Sequence, residues 1–423
     1  MNSKFRAGKL LQSGIIFTLI SFLTSLIYYF FQIVISREFG KAPGEFGLMN
    51  NTITLIAFLG LPVTIAAQTV THYIARFHFS GDDARLHGLL AGCRKFLFHI
   101  TIAGSVAAIV LVKPLGDFFN ISRPTLTLIA LICVLGNLWS AYVTVLCQGL
   151  GWFKRLALIG LLASVARVLF GWPAAKISPV AEWAVLASVA MLLPNLILFF
   201  WRHEFPRRTG KSISPWNREF VQFLVVSTAF SIGSYFFTQG DTLVAQRHFL
   251  DPDVRDAYSS AEKLAVALVT AVGPLLTVLF THRSSRQHHH SDALGEQLKL
   301  VGLYAAGLVF GAVCLYVLRE RCLTLLHRDT PEAVAMIGRL SVAMIFIGLL
   351  QALAMWSLAS RWIKISLLYG VLGVGYWALI LVLGKTPDAL LEVMPFAAGT
   401  AFIILFVFWI AAMRRHTPVA EAA

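Results

Sequence analysis

Apolar residues occur along the chain in runs of about 20 positions, separated by short polar stretches. Such a run is the length that a helix needs to cross about 30 Å of hydrocarbon. A window of about 19 residues predicts twelve spans, at 14–35, 51–74, 94–112, 125–147, 156–175, 180–201, 219–240, 257–281, 298–318, 332–358, 363–384 and 391–413. The pattern therefore predicts an all-α polytopic membrane protein with about twelve transmembrane helices.

Composition agrees with this prediction. Hydrophobic residues make up 57% of the chain and charged residues 13%, against roughly 45–50% and about 25% in soluble domains, which argues against a soluble globular enzyme. Five cysteines are scattered without a C-x-x-C pair, so no disulfide framework or zinc site is predicted. The three consecutive histidines at 288–290 indicate a solvated loop, because such neighbours cannot converge on one ion. We predict no metal site and no cofactor.

The basic residues predict which side of the membrane each loop faces. Lys and Arg exceed Asp and Glu by 14, and flanking basic residues are retained on the cytoplasmic side. The side that holds both termini carries 21 Lys and Arg residues, and the opposite side carries 12. Both termini are therefore predicted to be cytoplasmic. The excess positive charge is explained by topology and leaflet attraction, and no nucleic-acid partner is predicted.

A polar linker at 202–218 divides the chain almost in half. Six spans return a chain to its starting side, so the N-terminal lobe (1–201) and the C-terminal lobe (219–423) are predicted to be repeats in one orientation. A shift of 210 residues aligns like residues in the two halves, and a further slip of two residues aligns a pair of prolines. The aligned pairs include Arg37 with Arg247, Phe39 with Phe249, Arg76 with Arg286, His78 with His288, and Pro62 with Pro274.

Four segments of the chain resemble bacterial polysaccharide exporters and flippases. Segments 36–51 and 60–77 resemble the first two spans of that family. Segment 241–268 is similar to its seventh and eighth spans, and 148–169 to its loop after span four and its fifth span. These segments fall between residues 10 and 285, whereas the last four spans resemble the family in hydropathy and spacing alone.

The resemblance implies the oligosaccharide flippase (polysaccharide biosynthesis protein) family of the multidrug, oligosaccharidyl-lipid and polysaccharide exporter superfamily. It implies two six-helix lobes around a central cavity that opens alternately to each side. It further implies flipping of an undecaprenyl-diphosphate-linked oligosaccharide across the cytoplasmic (inner) membrane of a bacterium, for cell-surface polysaccharide synthesis. The expected partners are membrane lipid, the lipid-linked glycan and polysaccharide-assembly enzymes.

Charged residues inside apolar spans are costly to insert, so they need a partner or water. Arg167 lies near the middle of the fifth predicted span, and Glu262 and Lys263 lie in the eighth. Such residues either contact a charged substrate, or bond a neighbouring helix or reach the headgroups. Asn51 and Gln68 are also predicted to line the substrate pathway, because the resemblance implies that their spans line the cavity. The residues predicted to line the substrate pathway are Arg167, Lys263, Glu262, Arg37, Arg247, Arg339, Asn51 and Gln68.

Two further roles are predicted for polar and breaker residues. Asp241 and Glu262 are candidates for binding a coupling proton or cation, because intramembrane carboxylates often act as relays. The alternative for Asp241 is an acid at the interface. Pro62 and Pro274 each follow a glycine within two residues, so they are candidate hinges, with a simple packing kink as the alternative.

The leading hypothesis is therefore a transporter of a lipid-linked oligosaccharide. Basic residues outnumber acidic ones inside the spans, and this charge balance suits an anionic substrate. The first alternative is a multidrug or cation antiporter of the same fold, which needs buried carboxylates. The second is a membrane-embedded polysaccharide polymerase or ligase, which would show a large outer loop with an acidic or His cluster. The chain contains no G-x-x-x-x-G-K, H-E-x-x-H or G-x-S-x-G motif, so we predict that it is not an enzyme.

Overall fold

The computed structural model describes residues 3–190, 192, 218–285, 294–326, 330–360 and 362–416. Side chains are described for these residues other than 3–18, 41, 68, 79, 190, 218–219, 271–285, 294–300, 359 and 414–416. Two sequence predictions lie outside the described residues. They are the linker at 202–218, except for its last residue, and the solvated histidine loop at 288–290. Within the described ranges every regular element is helical, as predicted.

The chain divides into two compact units, Met1–Ser227 and Thr228–Ala423. The first unit contains long helices that pack mainly as the pairs α1 with α6, α6 with α7, and α3 with α5. A single 3-10 turn, Phe39–Lys41, follows α1. The helices are α1 (Ser3–Glu38), α2 (Glu45–Leu59), α3 (Leu61–Ser80), α4 (Asp83–Phe118), α5 (Pro124–Gly149), α6 (Phe153–Ile177) and α7 (Ala181–Ala190).

The second unit is built around α11, which packs against α9, α10 and α13. The Thr330 side chain caps the start of α11 by accepting a hydrogen bond from the Ala333 backbone N–H. The first turns of α8 precede the boundary at Ser227 and so belong to the first unit. The helices are α8 (Arg218–His248), α9 (Pro252–Ser285), α10 (Leu294–Leu325), α11 (Pro331–Ala359), α12 (Ile363–Leu383) and α13 (Pro387–His416).

Within the described part of the chain, nine helices are long and apolar enough to cross a membrane, and each coincides with a predicted span. The predicted sixth span begins as α7, and most of its remainder lies outside the described residues. The predicted eighth span is α9, which is 34 residues long. Exposed side chains are often large and apolar, as on α4, where Ile109 is 78% exposed. Hydrocarbon rather than water is the solvent that such a surface requires.

The second predicted span differs from the single helix expected over 51–74. The structure divides it into α2 and α3, which meet at Gly60 with a bend of 47°. Pro62 is the second residue of α3, where the missing N–H costs no helical hydrogen bond. The chain therefore restarts a helix at this proline rather than continuing one through it. Together α2 and α3 form the tenth candidate span.

The predicted repeat at an offset of 210 residues has a structural counterpart. Helix α1 ends at Glu38 and helix α8 ends at His248, which are separated by that offset. Residues 31–40 and 241–250 also follow the same order of buried, half-buried and exposed positions. Each unit thus ends its first long helix with the same packing pattern, although few residues are identical.

Candidate functional site

Arg167 is buried near the middle of α6, where only 5% of its surface is exposed. Its guanidinium carbon lies 4.5 Å from the ring centroid of Phe31 and 5.0 Å from that of Tyr28. Both rings come from α1 at helical spacing of three residues, so they share one face. Aromatic faces attract a cation most strongly when it is removed from water. The contact between α1 and α6 thus holds a buried positive charge.

The polar atoms around Arg167 are only partly satisfied. The Gln32 side-chain amide donates to the Tyr28 hydroxyl at 3.0 Å, and the ring of the same tyrosine faces the guanidinium. Arg167 Nε and Gln32 Oε1 are buried with no hydrogen-bond partner. Among the described residues, no carboxylate forms an ion pair with Arg167. A buried guanidinium with free donor capacity and no counter-ion is suited to bind an anion.

A second buried polar cluster lies in the second unit. Asp241 on α8 is fully buried, and its Oδ2 accepts a hydrogen bond of 2.9 Å from the Tyr258 hydroxyl on α9. Glu262, one turn beyond Tyr258, is also fully buried and pairs with Lys263 at 3.0 Å. Asp241 lies within electrostatic reach of Glu262 and Lys263. The structure thus brings together the carboxylates that the sequence proposed as a coupling site.

Sequence analysis missed several members of these two clusters. Tyr28, Phe31 and Gln32 look like ordinary residues of an apolar first span. Tyr258 lies four positions before Glu262, and this spacing places both on one face of a helix. That regularity could have identified Tyr258 once Glu262 was singled out. Tyr376 on α12 is also buried and interacts electrostatically with Asp241. It carries no sequence signal because α12 is distant from α8 and α9 along the chain.

The remaining predicted pathway residues are placed at helix ends or in contacts within a unit. Arg37 and Arg247 are exposed at the ends of α1 and α8. The Asn51 amide donates to the Phe119 carbonyl oxygen, so it ties α2 to the end of α4. Arg339 is 49% exposed and pairs with Asp388 at 3.4 Å. The side chain of the remaining member, Gln68, lies outside the described residues.

The predicted hinges fall in different backbone settings. Pro62 lies at the bend between α2 and α3. Pro274 lies inside α9, which continues through it as one helix, and its side chain is not among those described. Hinge motion at either position stays a prediction.

An ion-pair network that sequence analysis did not single out joins three elements of the first unit. Arg123, just before α5, pairs with Glu45 at 2.6 Å and with Glu182 at 2.9 Å. Glu45 also accepts a hydrogen bond from the Ala181 backbone N–H at the start of α7. A carboxylate at a helix N-terminus is stabilised by the helix dipole. The network fixes the starts of α2, α5 and α7 relative to one another.

No protein-family model and no curated protein matches the chain, whereas solved structures do. An outward-facing multidrug resistance MATE family transporter of the MOP superfamily matches with a TM-score of 0.65 and 12% identity, over 96% of this chain and 97% of that chain. The chain has the fold of these transporters. An inward-facing MATE family transporter matches with a TM-score of 0.64 and 13% identity, over 92% of this chain and 96% of that chain.

A MOP superfamily transporter from Pyrococcus furiosus matches equally well, with a TM-score of 0.65 and 13% identity over 96% of each chain. It is described as having a binding pocket of reverse polarity, which suggests a different function for that protein. This MATE-like fold confirms the prediction of about twelve transmembrane helices in two lobes. The chain therefore shares its fold with members of the expected superfamily, and its membership of that superfamily and of the polysaccharide branch stays a prediction.

Proposed function

We propose that the protein is a transporter that flips a lipid-linked oligosaccharide, carried on undecaprenyl diphosphate, across the cytoplasmic membrane by alternating access. The MATE-like fold supports transport as the general activity. The observation that carries the choice of an anionic substrate is Arg167, which is buried without a carboxylate partner among the described residues. The sequence resemblance supports the glycan as the rest of the substrate.

The chemistry of this substrate explains why a buried cation is useful. A diphosphate group cannot cross about 30 Å of hydrocarbon unless its charge is compensated. Arg167 offers N–H donors in a planar fork that matches the oxygens of a phosphate group. Phe31 and Tyr28 hold the guanidinium in place between substrates, because their ring faces stabilise the cation when no anion is bound. The lipid tail can remain in the bilayer throughout.

A multidrug or cation antiporter is the second candidate function. Two observations favour it. The matching solved structures include multidrug resistance transporters, and the second unit contains two buried carboxylates, Asp241 and Glu262. Lys263 already neutralises one of these carboxylates. An antiporter of this kind must accommodate both a cationic drug and an exchanging ion. A buried site with one uncompensated carboxylate is better suited to a single small cation.

We also propose a membrane location and protein partners for the transporter. The sequence resemblance supports the inner membrane of a bacterium, and the basic loops support placing both termini in the cytoplasm. Export of a surface polysaccharide would place the protein between the enzymes that assemble the lipid-linked unit and those that use it. Such polysaccharide-assembly enzymes are the proposed protein partners.

Reconstitution into liposomes tests the proposal. A fluorescent undecaprenyl-diphosphate oligosaccharide is placed in both leaflets, and a membrane-impermeant quencher reports the outer one. We expect protein-dependent exchange between leaflets for the diphosphate lipid and none for a cationic dye. Dye transport together with exchange of the lipid at the protein-free rate would instead establish the antiporter.

A further inference from the structure

A cavity of about 640 Å³ lies between the end of α10 and the start of α11 in the second unit. Its wall on α10 includes Tyr316, Arg319 and Glu320, and its wall on α11 includes Val334. The volume falls within the roughly 300–1,000 Å³ that small-molecule sites occupy. The lining contains no member of the clusters around Arg167 and Asp241, so this cavity is a separate candidate for binding a ligand.

The cavity lies where the exposed apolar surface of α10 ends. Phe310, Val313 and Val317 are all exposed, and helical spacing places them in one stripe that continues to Glu320. Charged side chains thus replace apolar ones within one helical turn. Such a change marks the boundary between hydrocarbon and headgroups, where membrane helices commonly place tyrosine and arginine. A molecule with apolar chains along the stripe would therefore bring its polar group to the cavity.

Tyr316 holds the Arg319 side chain in position at the cavity. The guanidinium carbon of Arg319 lies 4.1 Å from the ring centroid of Tyr316, and Nη1 donates to the Tyr316 backbone carbonyl oxygen at 3.5 Å. The ring lies close to α11 at Gly338, where a Cβ atom would be 3.3 Å from Tyr316 Cε2. These contacts position the planar fork, and its other N–H donors suit the oxygens of a phosphate group.

Glu320 adds a negative charge to the lining beside this cation. The described contacts of Arg319 are with Tyr316 rather than with Glu320, so the two charges are not joined as an ion pair. A ligand that carries one phosphate and one ammonium group complements both side chains. A headgroup with negative charge alone would bind the guanidinium but would be repelled by the carboxylate. The charge pattern therefore favours a zwitterionic headgroup.

We propose that this cavity binds a phospholipid of the phosphatidylethanolamine class from the surrounding membrane. Arg319 binds the phosphate group, and Glu320 accepts a hydrogen bond from the primary ammonium group. The acyl chains lie along the exposed stripe of α10. An ethanolamine headgroup fits this arrangement better than a choline headgroup, because methyl groups replace the N–H donors in choline. The inference is independent of which substrate the transporter moves.

Native mass spectrometry of the purified full-length protein tests the site. Phosphatidylethanolamine, phosphatidylglycerol or phosphatidylcholine is added to delipidated protein in detergent, and the fraction that carries one bound lipid gives the relative affinities. We expect phosphatidylethanolamine to bind about tenfold more tightly than the other two lipids, because it alone satisfies both charged side chains. Equal affinities for the three lipids would overturn the proposal.

A pair of arginine variants locates the binding. Arg319→Gln should weaken the binding of phosphatidylethanolamine about tenfold, because the phosphate loses its charged partner. Arg321→Gln is the matched control, since Arg321 is exposed two positions further along α10 and lies outside the cavity lining. It should bind the lipid as the native protein does. Equal binding by the two variants would contradict the assignment of the phosphate to Arg319.

Glu320→Gln gives a test that does not depend on a loss of binding. Removal of the carboxylate should strengthen the binding of phosphatidylglycerol and so reduce the preference for phosphatidylethanolamine. An unchanged preference would contradict the role of Glu320.

Soluble phosphoethanolamine distinguishes a lipid site from a site for a free phosphate compound. We expect it not to displace the lipid, because it lacks the acyl chains that contact α10. Displacement of phosphatidylethanolamine by this soluble headgroup would overturn the assignment to a membrane lipid.

Discussion

The guanidinium carbon of Arg167 lies 4.5 Å from the ring centroid of Phe31, so a cation of α6 is held against an aromatic face of α1. Burial of an arginine without a carboxylate partner requires such compensation. The aromatic contact also leaves the Nε–H donor free for another oxygen ligand. This pair of residues connects the packing of the first unit with the proposed recognition of an anion.

Replacing Phe31 tests the energetic part of this relationship. We expect Phe31→Leu to lower the free energy of unfolding by about 2 kcal/mol, because a desolvated cation–π contact is worth about that much and a shorter side chain also leaves a void. The measurement is unfolding of the purified protein in detergent. Phe170→Leu is the matched control, since Phe170 is 58% exposed and should change stability little. Equal effects of the two changes would show that the contact is not stabilising.

The sequence predicts the helices of this protein better than the environment of its charged residues. Runs of apolar residues identified the spans because hydrocarbon requires continuous apolar helices. The residue that neutralises Glu262 was not predictable in the same way. Adjacent positions on a helix point about 100° apart, so helical spacing alone does not place the side chains of Glu262 and Lys263 against each other. The long lysine side chain instead reaches back to the carboxylate.

The network at Arg123 predicts that removing either of two arginines near helix starts lowers the free energy of unfolding by different amounts. Arg123→Ala removes two ion pairs and leaves two partly buried carboxylates uncompensated, so we expect a loss of about 1 to 2 kcal/mol in unfolding free energy. Arg85 forms a solvent-exposed pair with Asp82 three residues away. Arg85→Ala should cost less than about 0.5 kcal/mol. Detergent unfolding of both variants checks this, and a greater loss for Arg85→Ala would contradict the structure.

A close helix crossing in the second unit predicts that two glycines of α12 respond differently to alanine. A Cβ atom on Gly373 would lie 2.6 Å from Gly233 Cα on α8, so the helices must separate. We expect Gly373→Ala to cost roughly 1 to 3 kcal/mol by overpacking. A Cβ atom on Gly375 meets nothing within 4 Å, and Gly375→Ala should stabilise the helix by up to about 1 kcal/mol.

Thermal unfolding of these glycine variants, each purified in the same detergent, distinguishes the two positions. Similar midpoints for Gly373→Ala and Gly375→Ala would mean that α8 and α12 do not cross as closely as the structure places them.

The limits of sequence-based prediction at the sites have a physical origin. A helical pattern tells which residues share a face of one helix, but it does not tell which helix that face meets. Tyr28, Gln32 and Arg167 form a cluster because α1 packs on α6. Asn51 is predicted to line the substrate pathway, and the structure adds a contact that the sequence does not indicate, from its amide to a backbone carbonyl oxygen at the end of α4. Contacts between helices decide such roles, and they depend on tertiary packing.

The flipping rate of Arg167 variants in liposomes tests the central claim most directly. With fluorescent undecaprenyl-diphosphate oligosaccharide as the substrate, we expect Arg167→Gln to lower the rate at least tenfold and Arg167→Lys to restore it only in part, because lysine keeps the charge but lacks the planar fork. Lys176→Gln, at the exposed end of α6, should flip lipid at the native rate. Native flipping by correctly folded Arg167→Gln would contradict the account.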